Sequence, residues 1–395
     1  MQAVILAGGL GKRLRSSVAG VPKSMAPIGN KPFLEYQISE LKKNGIERFL
    51  ILVGYRGNLI KEYFGDGSRL GVEIGYSEES QPLGTAGALM NAWDELDEEF
   101  FLFNGDTFFY AQFDLMVDFV RDCRMSALIA LKFTENAKRY GRVDIDTAYR
   151  VVEFAEKGEL PSYRIDSYIN AGAYCFQKSV LEPFYKSFSM TPFSLEREVL
   201  PELSGQGVLY GLPLGGAFVD IGMPADYELA QKQIPLLAES ERRPALFLDR
   251  DGVIVKDKGY VHGKDLDFVE ESFEMITEAN NQGKLVIVVT NQAGVAKGYY
   301  RVEDVISTND YINSVLRERG MSIDLFLFCP YHPEGTVEEF KRISLCRKPY
   351  PGMIMRACDA FPIDLRESVM VGDKETDRIK LPYLRFIRFG DRHQN

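Results

Sequence analysis

Three absences limit what this chain can be. No apolar run reaches the roughly 18 residues of a membrane span, so we expect no membrane partner. There is no excess of positive charge: the formal net charge is −10, which argues against a general nucleic-acid binder, because such proteins rely on clustered Lys and Arg. The five cysteines are scattered and odd in number, so a disulfide framework is not expected.

The chain also begins without the basic segment and small-residue cleavage site of a signal peptide. We therefore expect a cytoplasmic protein whose partners are small molecules, with no nucleic acid and no membrane among them. An anionic substrate is compatible with an acidic chain, because a few local Arg and Lys side chains are enough to hold it.

Short apolar segments alternate with amphipathic ones along most of the 395 residues, a length that favours two or three domains. This alternation predicts an α/β fold with a mostly parallel, doubly wound sheet, and the pattern that starts at "AVILA" starts again at "LFLDRDG". We predict a Rossmann-like domain over 1–233, a linker over 234–243 and a second doubly wound domain over 244–395. In the first domain, "FLEYQISELKKNG" predicts a helix that Gly45 ends.

The first strand-like segment leads into a glycine-rich stretch, "LAGGLGKRLR". Glycine allows close backbone approach, so consecutive N–H groups there can hold a polyphosphate. A Walker A loop is excluded because Arg13 follows Lys12, where Ser or Thr is needed, and the dinucleotide fingerprint is excluded because Leu14 replaces its third glycine. Taken alone, the stretch fits a tight structural turn nearly as well.

Charged residues after this stretch change the interpretation. Lys23 lies in "VPKSM", Asp106 ends the strand-like "FLFNGD", and Asp220 lies in "FVDIGMPADY". With Arg13, this order of motifs over about 1–230 resembles the sugar-1-phosphate nucleotidylyltransferases. One departure is Lys12, where that family usually has Thr.

The resemblance implies a reaction in which a sugar 1-phosphate attacks the α-phosphate of a nucleoside triphosphate and pyrophosphate leaves. It implies that Lys23 and Arg13 act on the phosphates, and that Asp106 and Asp220 hold Mg²⁺ through hard oxygen ligands. It also implies nucleotide contacts from the first loop, at Leu6, Ala7, Gly8, Gly9, Gly11, Lys12 and Arg13.

The segment "EESQPLGTAGAL" resembles the base-and-ribose loop of the same family. The resemblance implies nucleotide contacts from Glu79, Pro82, Gly84 and Thr85. A carboxylate such as that of Glu79 only accepts hydrogen bonds, and guanine offers two adjacent donors, whereas uracil and thymine offer one donor between two acceptors. Guanine, and hence GTP, is favoured, with Glu78 as the first alternative reader of the base.

Three further segments, "YGRVDI", "EFAEKG" and "YINAGAY", resemble the sugar pocket of that family. They imply sugar or phosphate contacts from Gly141, Glu156, Lys157 and Asn170. For Glu156 and Lys157, a solvated turn is the alternative interpretation.

A second set of motifs begins at "ALFLDRDGVIV", where Asp249 and Asp251 end an apolar run. Alone they fit an ordinary turn or half of a calcium loop, but an EF-hand needs Glu at its twelfth position, where Tyr260 stands. Later motifs supply Thr290, Asn291, Arg347, Lys348 and Asp373. The order D-x-D-G-V, T-N-Q, K-P and G-D-x-x-x-D resembles the haloacid-dehalogenase superfamily of phosphatases.

This second resemblance implies that Asp249 attacks phosphorus and that Asp251 protonates the leaving alkoxide and then activates water. It implies that Mg²⁺ is held by Asp249, Asp373 and the carbonyl of Asp251. Thr290 and Lys348 are then expected to bind the phosphoryl oxygens, and Asn291 and Arg347 to contact the substrate.

Within the superfamily, "TNQAGVAKGYY" and "CPYHPEGTVEEF" resemble heptose-1,7-bisphosphate 7-phosphatases and histidinol-phosphate phosphatases. That group often carries a structural zinc in C-x-H…C-x-C. Here Cys329 and Cys346 remain, Tyr331 and Ser344 occupy the other two positions, and His332 is the candidate substitute. A tetrahedral site needs four ligands, so we expect no zinc.

The two resemblances explain each other, because residues 1–230 most resemble the D-glycero-D-manno-heptose 1-phosphate guanylyltransferases. A bifunctional enzyme is predicted, which removes the 7-phosphate from heptose 1,7-bisphosphate and then couples the 1-phosphate to GTP. One alternative is a mannose- or glucose-1-phosphate nucleotidylyltransferase fused to a phosphatase of another substrate. Another is a degenerate regulatory domain, although neither motif set lacks a catalytic group. A homo-oligomer is left open.

Overall fold

The computed structural model of the chain describes residues 1–9, 20–135, 141–155 and 166–390. Its contacts divide the described residues into two units. The first takes those of 1–132, 140–156 and 168–240, and the second takes those of 133–139, 157–167 and 241–395. The α/β architecture predicted from the sequence is confirmed for both. The assignment of two short early segments to the second unit was not predicted.

Strands and helices alternate through the first 240 residues. The strands are β1 (Gln2–Leu6), β2 (Pro27–Ile28), β3 (Lys31–Pro32), β4 (Arg48–Val53), β5 (Glu73–Glu78), β6 (Glu99–Asn104), β7 (Thr107–Phe109), β8 (Ala127–Thr134), β9 (Arg142–Ile145), β10 (Val151–Ala155), β11 (Ser167–Gln177), β12 (Leu209–Pro213) and β13 (Phe218–Asp220). The α-helices are α1 (Phe33–Lys43), α2 (Gly57–Phe64), α3 (Gly84–Asn91), α4 (Asp114–Cys123), α5 (Lys178–Ser187), α6 (Leu200–Gly205) and α7 (Pro224–Glu239).

The main sheet of this part runs in the order β10-β9-β11-β6-β1-β4-β5, and β8 pairs with β11 and β12. Strands β6, β1, β4 and β5 are parallel to one another, as predicted, whereas β11 joins β6 antiparallel. Helix α1 occupies the predicted segment. It ends just before Gly45, whose φ of 81° reverses the chain in the left-handed region that favours glycine.

The rest of the chain forms β14 (Arg243–Leu248), α8 (Glu271–Asn281), β15 (Leu285–Asn291), α9 (Val302–Glu318), β16 (Leu325–Cys329), α10 (Gly352–Ala360), β17 (Ile363–Gly372) and β18 (Arg385–Arg388). The strands form a parallel sheet in the order β16-β15-β14-β17-β18. Near-continuous apolar runs make the central strands, which is typical of parallel strands buried on both faces. Leu248, Val288 and Val371, from three adjacent strands, share one buried core.

The end of α7 covers most of the segment expected to be a linker. The helix continues to Glu239, and the division between the units falls after Ser240. Ile234 is fully buried in a cluster with Phe33 and Val219, so apolar packing extends the helix beyond the point where the sequence pattern weakens. Within the described residues, no helix combines the length and apolar character needed to cross a bilayer.

The packing of α7 predicts a large loss of stability for one substitution and little change for a neighbouring one. Ile234→Ala removes a fully buried side chain and should lower the free energy of unfolding of the first unit by about 2–5 kcal/mol. Leu236→Ala is the matched control, because Leu236 is 71% exposed. Urea unfolding of the full chain measures both. Equal stability of the two variants would show that the end of α7 is an unpacked connection.

Candidate active sites

A cavity of about 590 Å³ opens in the first unit where β1, β4 and β6 end. Parallel strands place their carboxyl ends at one edge of a sheet, which is where α/β folds bind ligands. Many residues predicted to contact a nucleotide line it: Leu6, Ala7, Gly8, Gly9, Lys23, Glu79, Pro82, Gly84, Thr85 and Asp106. Gly11, Lys12 and Arg13 lie outside the described residues.

Glu79 reaches this cavity beside the first loop. Its Oε2 accepts a hydrogen bond from the backbone N–H of Leu83 at 2.9 Å. A Cβ added at Gly8 would lie 2.8 Å from Oε1 of Glu79, so a larger residue there would require the Glu79 side chain to shift. Burial raises the pKa of Glu79, although the Leu83 N–H opposes the shift. Glu78, the alternative, is exposed and pairs with Lys61 at 2.7 Å.

Two carboxylates converge on Lys23 at the edge of the same cavity. The Nζ of Lys23 lies 2.5 Å from Oδ2 of Asp106 and 3.5 Å from Oδ1 of Asp220. Strand β13 brings Asp220 here, because it pairs antiparallel with β7, whose Thr107 lies opposite Asp220. Burial and then the charge of Asp106 raise the pKa of Asp220, which Lys23 counteracts. Two carboxylates with one ammonium fit a divalent cation that prefers oxygen ligands.

Of the four residues predicted to form the sugar pocket, the structure describes Gly141 and Asn170. Asn170 donates to the Tyr174 hydroxyl at 2.9 Å and accepts from the Gly172 N–H at 2.9 Å, and neither Asn170 nor Gly141 is among the cavity-lining residues. Glu156 and Lys157 lie outside the described residues.

One acidic residue that lines the cavity, Glu196, was not indicated by the sequence. Its carboxylate accepts from the Thr85 hydroxyl at 2.8 Å, across 111 residues of sequence. Thr85 in turn accepts from the backbone N–H of Leu195 at 2.8 Å. Thr85, predicted as a nucleotide contact, therefore also orients Glu196. No motif around Glu196 marked it.

The second unit gathers polar and charged residues of its predicted site at the ends of three neighbouring strands. Asp249 follows β14, Thr290 lies at the end of β15, and Asp373 follows β17. Among the described residues, Asp249, Asp373 and Asp377 place carboxylate oxygens within 4.8 Å of one another. The buried Nζ of Lys348 lies 2.8 Å from Asp249 and 2.7 Å from Asp377. Asp377 closes the quoted motif, but no role was predicted for it.

These groups fit a divalent cation. Burial is the main cause of a raised pKa at both Asp249 and Asp373, with Lys348 opposing it at Asp249. Oδ1 of Asp373 is buried without a hydrogen-bond partner in the structure. A cation with hard oxygen ligands, such as Mg²⁺, would satisfy that oxygen and offset the repulsion between the carboxylates.

Asp251 is held from two sides. Arg250 donates to both of its carboxylate oxygens, at 2.9 and 3.0 Å, and Gln292 donates to Oδ2 at 2.8 Å. Arg250 is fully buried, and it also donates to Asn309 at 3.2 Å. Gln292 additionally donates to Thr290 at 2.9 Å. These contacts fix the orientation of the Asp251 carboxylate, and sequence reasoning missed both residues that hold it.

Asn291, predicted to contact the substrate, hydrogen-bonds the backbone of Lys348. Its amide donates to the Lys348 carbonyl at 3.1 Å and accepts from the Lys348 N–H at 3.0 Å, because a side-chain amide matches a peptide group. Arg347 has a buried Nη1 without a partner in the structure. The pKa of His332 is lowered by burial and by the charges of Arg347 and Lys297, which therefore belong to one cationic region. The sequence analysis did not identify Lys297 as a site residue.

Comparison with protein families matches two parts of the chain. The nucleotidyl transferase family model matches residues 2–235. A HAD-hydrolase-like family model matches residues 345–379, a segment that contains Lys348, Asp373 and Asp377. Each match therefore falls on residues that form one of the two clusters.

Similar proteins align with the first part of the chain. A D-glycero-alpha-D-manno-heptose 1-phosphate guanylyltransferase of Aneurinibacillus thermoaerophilus is 41% identical over 235 residues, covering 59% of this chain and 98% of that protein. A mannose-1-phosphate guanyltransferase beta-A of Xenopus laevis is 35% identical over 232 residues, which cover 58% of this chain and 62% of that protein. The structure of HddC from Yersinia pseudotuberculosis complexed with GMP-PN matches with a TM-score of 0.52 and 30% identity. The match covers 59% of this chain and 98% of that chain.

The geometry of the second cluster predicts that substitution of Gly252 weakens cation binding. This residue has a φ of 97°, and an added Cβ would lie 2.3 Å from Oδ2 of Asp373. Gly252→Ala should therefore displace that carboxylate and weaken Mn²⁺ binding at least about tenfold, or about 1.4 kcal/mol. Titration followed by electron paramagnetic resonance measures the affinity.

The control is Gly259→Ala. Gly259 also has a positive φ, 70°, but an added Cβ meets no atom within 4 Å. If both variants weaken Mn²⁺ binding equally, backbone strain rather than the clash with Asp373 is responsible.

Proposed function

This chain belongs to the nucleotidyl transferase family, and on that premise we propose that it catalyses two consecutive steps of GDP-heptose synthesis. The second unit removes the 7-phosphate of D-glycero-D-manno-heptose 1,7-bisphosphate. The first unit then transfers GMP from GTP to the heptose 1-phosphate and releases pyrophosphate. One observation carries the proposal: a single chain holds two carboxylate–lysine clusters, each at a sheet edge suited to phosphate chemistry.

Transfer of a nucleotidyl group needs positioning and charge stabilisation more than covalent help. The first loop and Glu79 would hold the nucleotide in the cavity, and Lys23 would bind the α-phosphate as negative charge builds on it. Oxygen of the sugar 1-phosphate attacks the α-phosphorus while the bond to pyrophosphate breaks. Mg²⁺ bound by Asp106 and Asp220 would supply further charge neutralisation.

Phosphate removal would use the second cluster. Asp249 attacks phosphorus while the bond to the sugar oxygen breaks, and Asp251 gives that oxygen a proton. Asp251 then takes a proton from the water that hydrolyses the aspartyl-phosphate. Arg250 and Gln292 hold the Asp251 carboxylate in position for both transfers. Mg²⁺ beside Asp249 would offset its repulsion from the substrate phosphate.

The sugar is the part of the proposal with a rival. The Aneurinibacillus relative is named for a heptose 1-phosphate and the Xenopus relative for mannose 1-phosphate. The higher identity and nearly full coverage of the former favour heptose. Incubation with GTP, Mg²⁺ and heptose 1,7-bisphosphate should yield a nucleotide sugar with the mass of GDP-heptose, and mannose 1-phosphate should compete poorly as the acceptor.

Two isosteric substitutions should separate the activities. Asp249→Asn should abolish phosphate release from the bisphosphate, because an amide is a poor nucleophile and a weaker cation ligand. Asp106→Asn should lower pyrophosphate release by a hundredfold or so, since it removes a cation ligand at the other cluster. Each variant is the control for the other, assayed with supplied heptose 1-phosphate and with the bisphosphate. Loss of both activities in one folded variant would contradict two separate sites.

The base preference depends on Glu79. Its carboxylate can accept from N1–H and N2–H₂ of guanine, whereas adenine presents an acceptor at N1. Hydrogen bonds to a charged group contribute roughly 1.5–3 kcal/mol, so GTP should exceed ATP and UTP at least tenfold in kcat/KM. Glu79→Gln should reduce GTP use and leave phosphate release unchanged. An ATP-preferring wild type would overturn the guanine assignment.

The pH dependence gives an independent check on Glu79. Because burial raises its pKa, the ionised form that accepts both guanine donors is lost at a higher pH than for an exposed glutamate. The KM for GTP should therefore rise as pH falls through that raised pKa. Glu79→Gln should lack this component, since an amide does not titrate. Parallel profiles of KM against pH would assign the base contact elsewhere.

A further inference from the structure

Two positions of the C-x-H…C-x-C pattern lack a zinc ligand in this chain. Cys329 and Cys346 are buried as free thiols, but the other positions are Tyr331 and Ser344. Over the ranges that the structure describes, no group of three His, Cys, Asp or Glu ligand atoms within 4.8 Å of one another includes either thiol. Four-ligand zinc coordination does not fit these residues.

A buried carboxylate contacts Ser344, which stands at one of the two positions that lack a zinc ligand. Asp166 is fully buried, and the structure assigns it to the second unit. Its Oδ2 accepts from the Ser344 hydroxyl at 2.5 Å, and its Oδ1 accepts from the Leu345 N–H at 2.8 Å. The Ser344 oxygen in turn accepts from the Cys346 N–H at 3.0 Å. One carboxylate thus fixes three consecutive residues.

The residues fixed by Asp166 lead directly into the catalytic loop. Leu345 accepts from the Gly352 N–H at 2.8 Å, which closes the loop that contains Arg347 and Lys348. Asn291 fixes the Lys348 backbone through two hydrogen bonds. The Lys348 ammonium then has little freedom as it reaches the carboxylate cluster. A loop anchored at both ends is what precise placement of that ammonium requires.

We propose that Asp166 is a positioning residue for the phosphatase reaction, replacing a structural zinc with a carboxylate–serine–backbone clasp. The inference rests on the proposed phosphatase function. It also means that this reaction depends on a residue 178 positions before Ser344, encoded between β10 and β11 and absent from residues 241–395. Hydrogen bonds to a buried carboxylate are strong and directional, so they can set the loop as firmly as a metal would.

The test compares Asp166→Ala with Asp166→Asn in the full-length chain. Alanine removes both hydrogen bonds, and kcat for phosphate release should fall at least about tenfold, as expected for misplaced transition-state stabilisation. Asparagine keeps an oxygen for the Leu345 N–H and can donate to Ser344, so it should restore most of the rate. Asp265→Ala, at an exposed aspartate of the same unit, should match wild type.

Orthovanadate inhibition distinguishes positioning from general stability. Its Ki describes the competent sites only, whatever their number, so a purely structural role would leave Ki unchanged. Misplacement of Lys348 should raise Ki in Asp166→Ala by a factor similar to the loss in kcat, while nucleotidyl transfer by the same preparation stays normal. Unchanged Ki, or no recovery with asparagine, would overturn the proposal.

Two further readouts separate the possible failures. Assays with heptose bisphosphate and with p-nitrophenyl phosphate show whether the wild type is a phosphatase at all. A wild type inactive on both would overturn the proposed function and this inference together, whereas an active wild type with an equally active Asp166→Ala overturns only the inference. Metal analysis should find less than one zinc per chain, and a stoichiometric, tightly held zinc would contradict the clasp.

Discussion

A lysine ammonium between two carboxylates is the interaction around which both sites are built. Lys23 lies 2.5 Å from Asp106 and 3.5 Å from Asp220. Lys348 is placed equivalently in the second unit, at 2.8 and 2.7 Å from its two partners. One positive charge offsets only part of the repulsion between two carboxylates held this close. Each cluster therefore keeps a net negative charge that a divalent cation can neutralise, and the same cation can attract a phosphate-bearing substrate.

The two clusters differ in how far they exclude water, and this difference suits their proposed chemistry. The side chains of Asp106 and Asp220 are 41% and 30% exposed, beside a cavity large enough for a nucleotide. Those of Asp249 and Asp377 are only 9% and 3% exposed. Charge interactions strengthen as water is excluded, so the second cluster suits a carboxylate that must attack phosphorus. The more exposed first cluster suits a large ligand that must bind and leave.

The sequence predicted the parts of each site that follow from strand order. Asp106, Asp249 and Asp373 end or follow parallel strands, and such ends meet at one sheet edge whatever the loops do. Side chains that arrive from distant loops carried no such signal. Glu196 reaches the cavity through a hydrogen bond to Thr85, and its surroundings in sequence resemble any polar helix start. The hydrogen bonds of Asn291 to the Lys348 backbone were not predicted, because a side-chain amide suits a peptide partner and a ligand equally well.

The domain boundary, like the position of Glu196, could not be predicted fully from the sequence. Composition and motif order separate the chain near residue 240, but the described residues of 133–139 and 157–167 cluster with the second unit. No periodicity marks such an exchange, and for residue 166 it involves buried polar contacts. Asp166 illustrates the cause: a fully buried carboxylate is costly unless it is satisfied, and the groups that satisfy it belong to Ser344 and Leu345. The loop that contains Lys348 is thus organised by hydrogen bonds that involve neither thiolates nor a metal ion. A chain cut at the apparent boundary would keep every recognised phosphatase motif and lose Asp166, whose hydrogen bonds hold Ser344 and Leu345 beside the loop that contains Lys348.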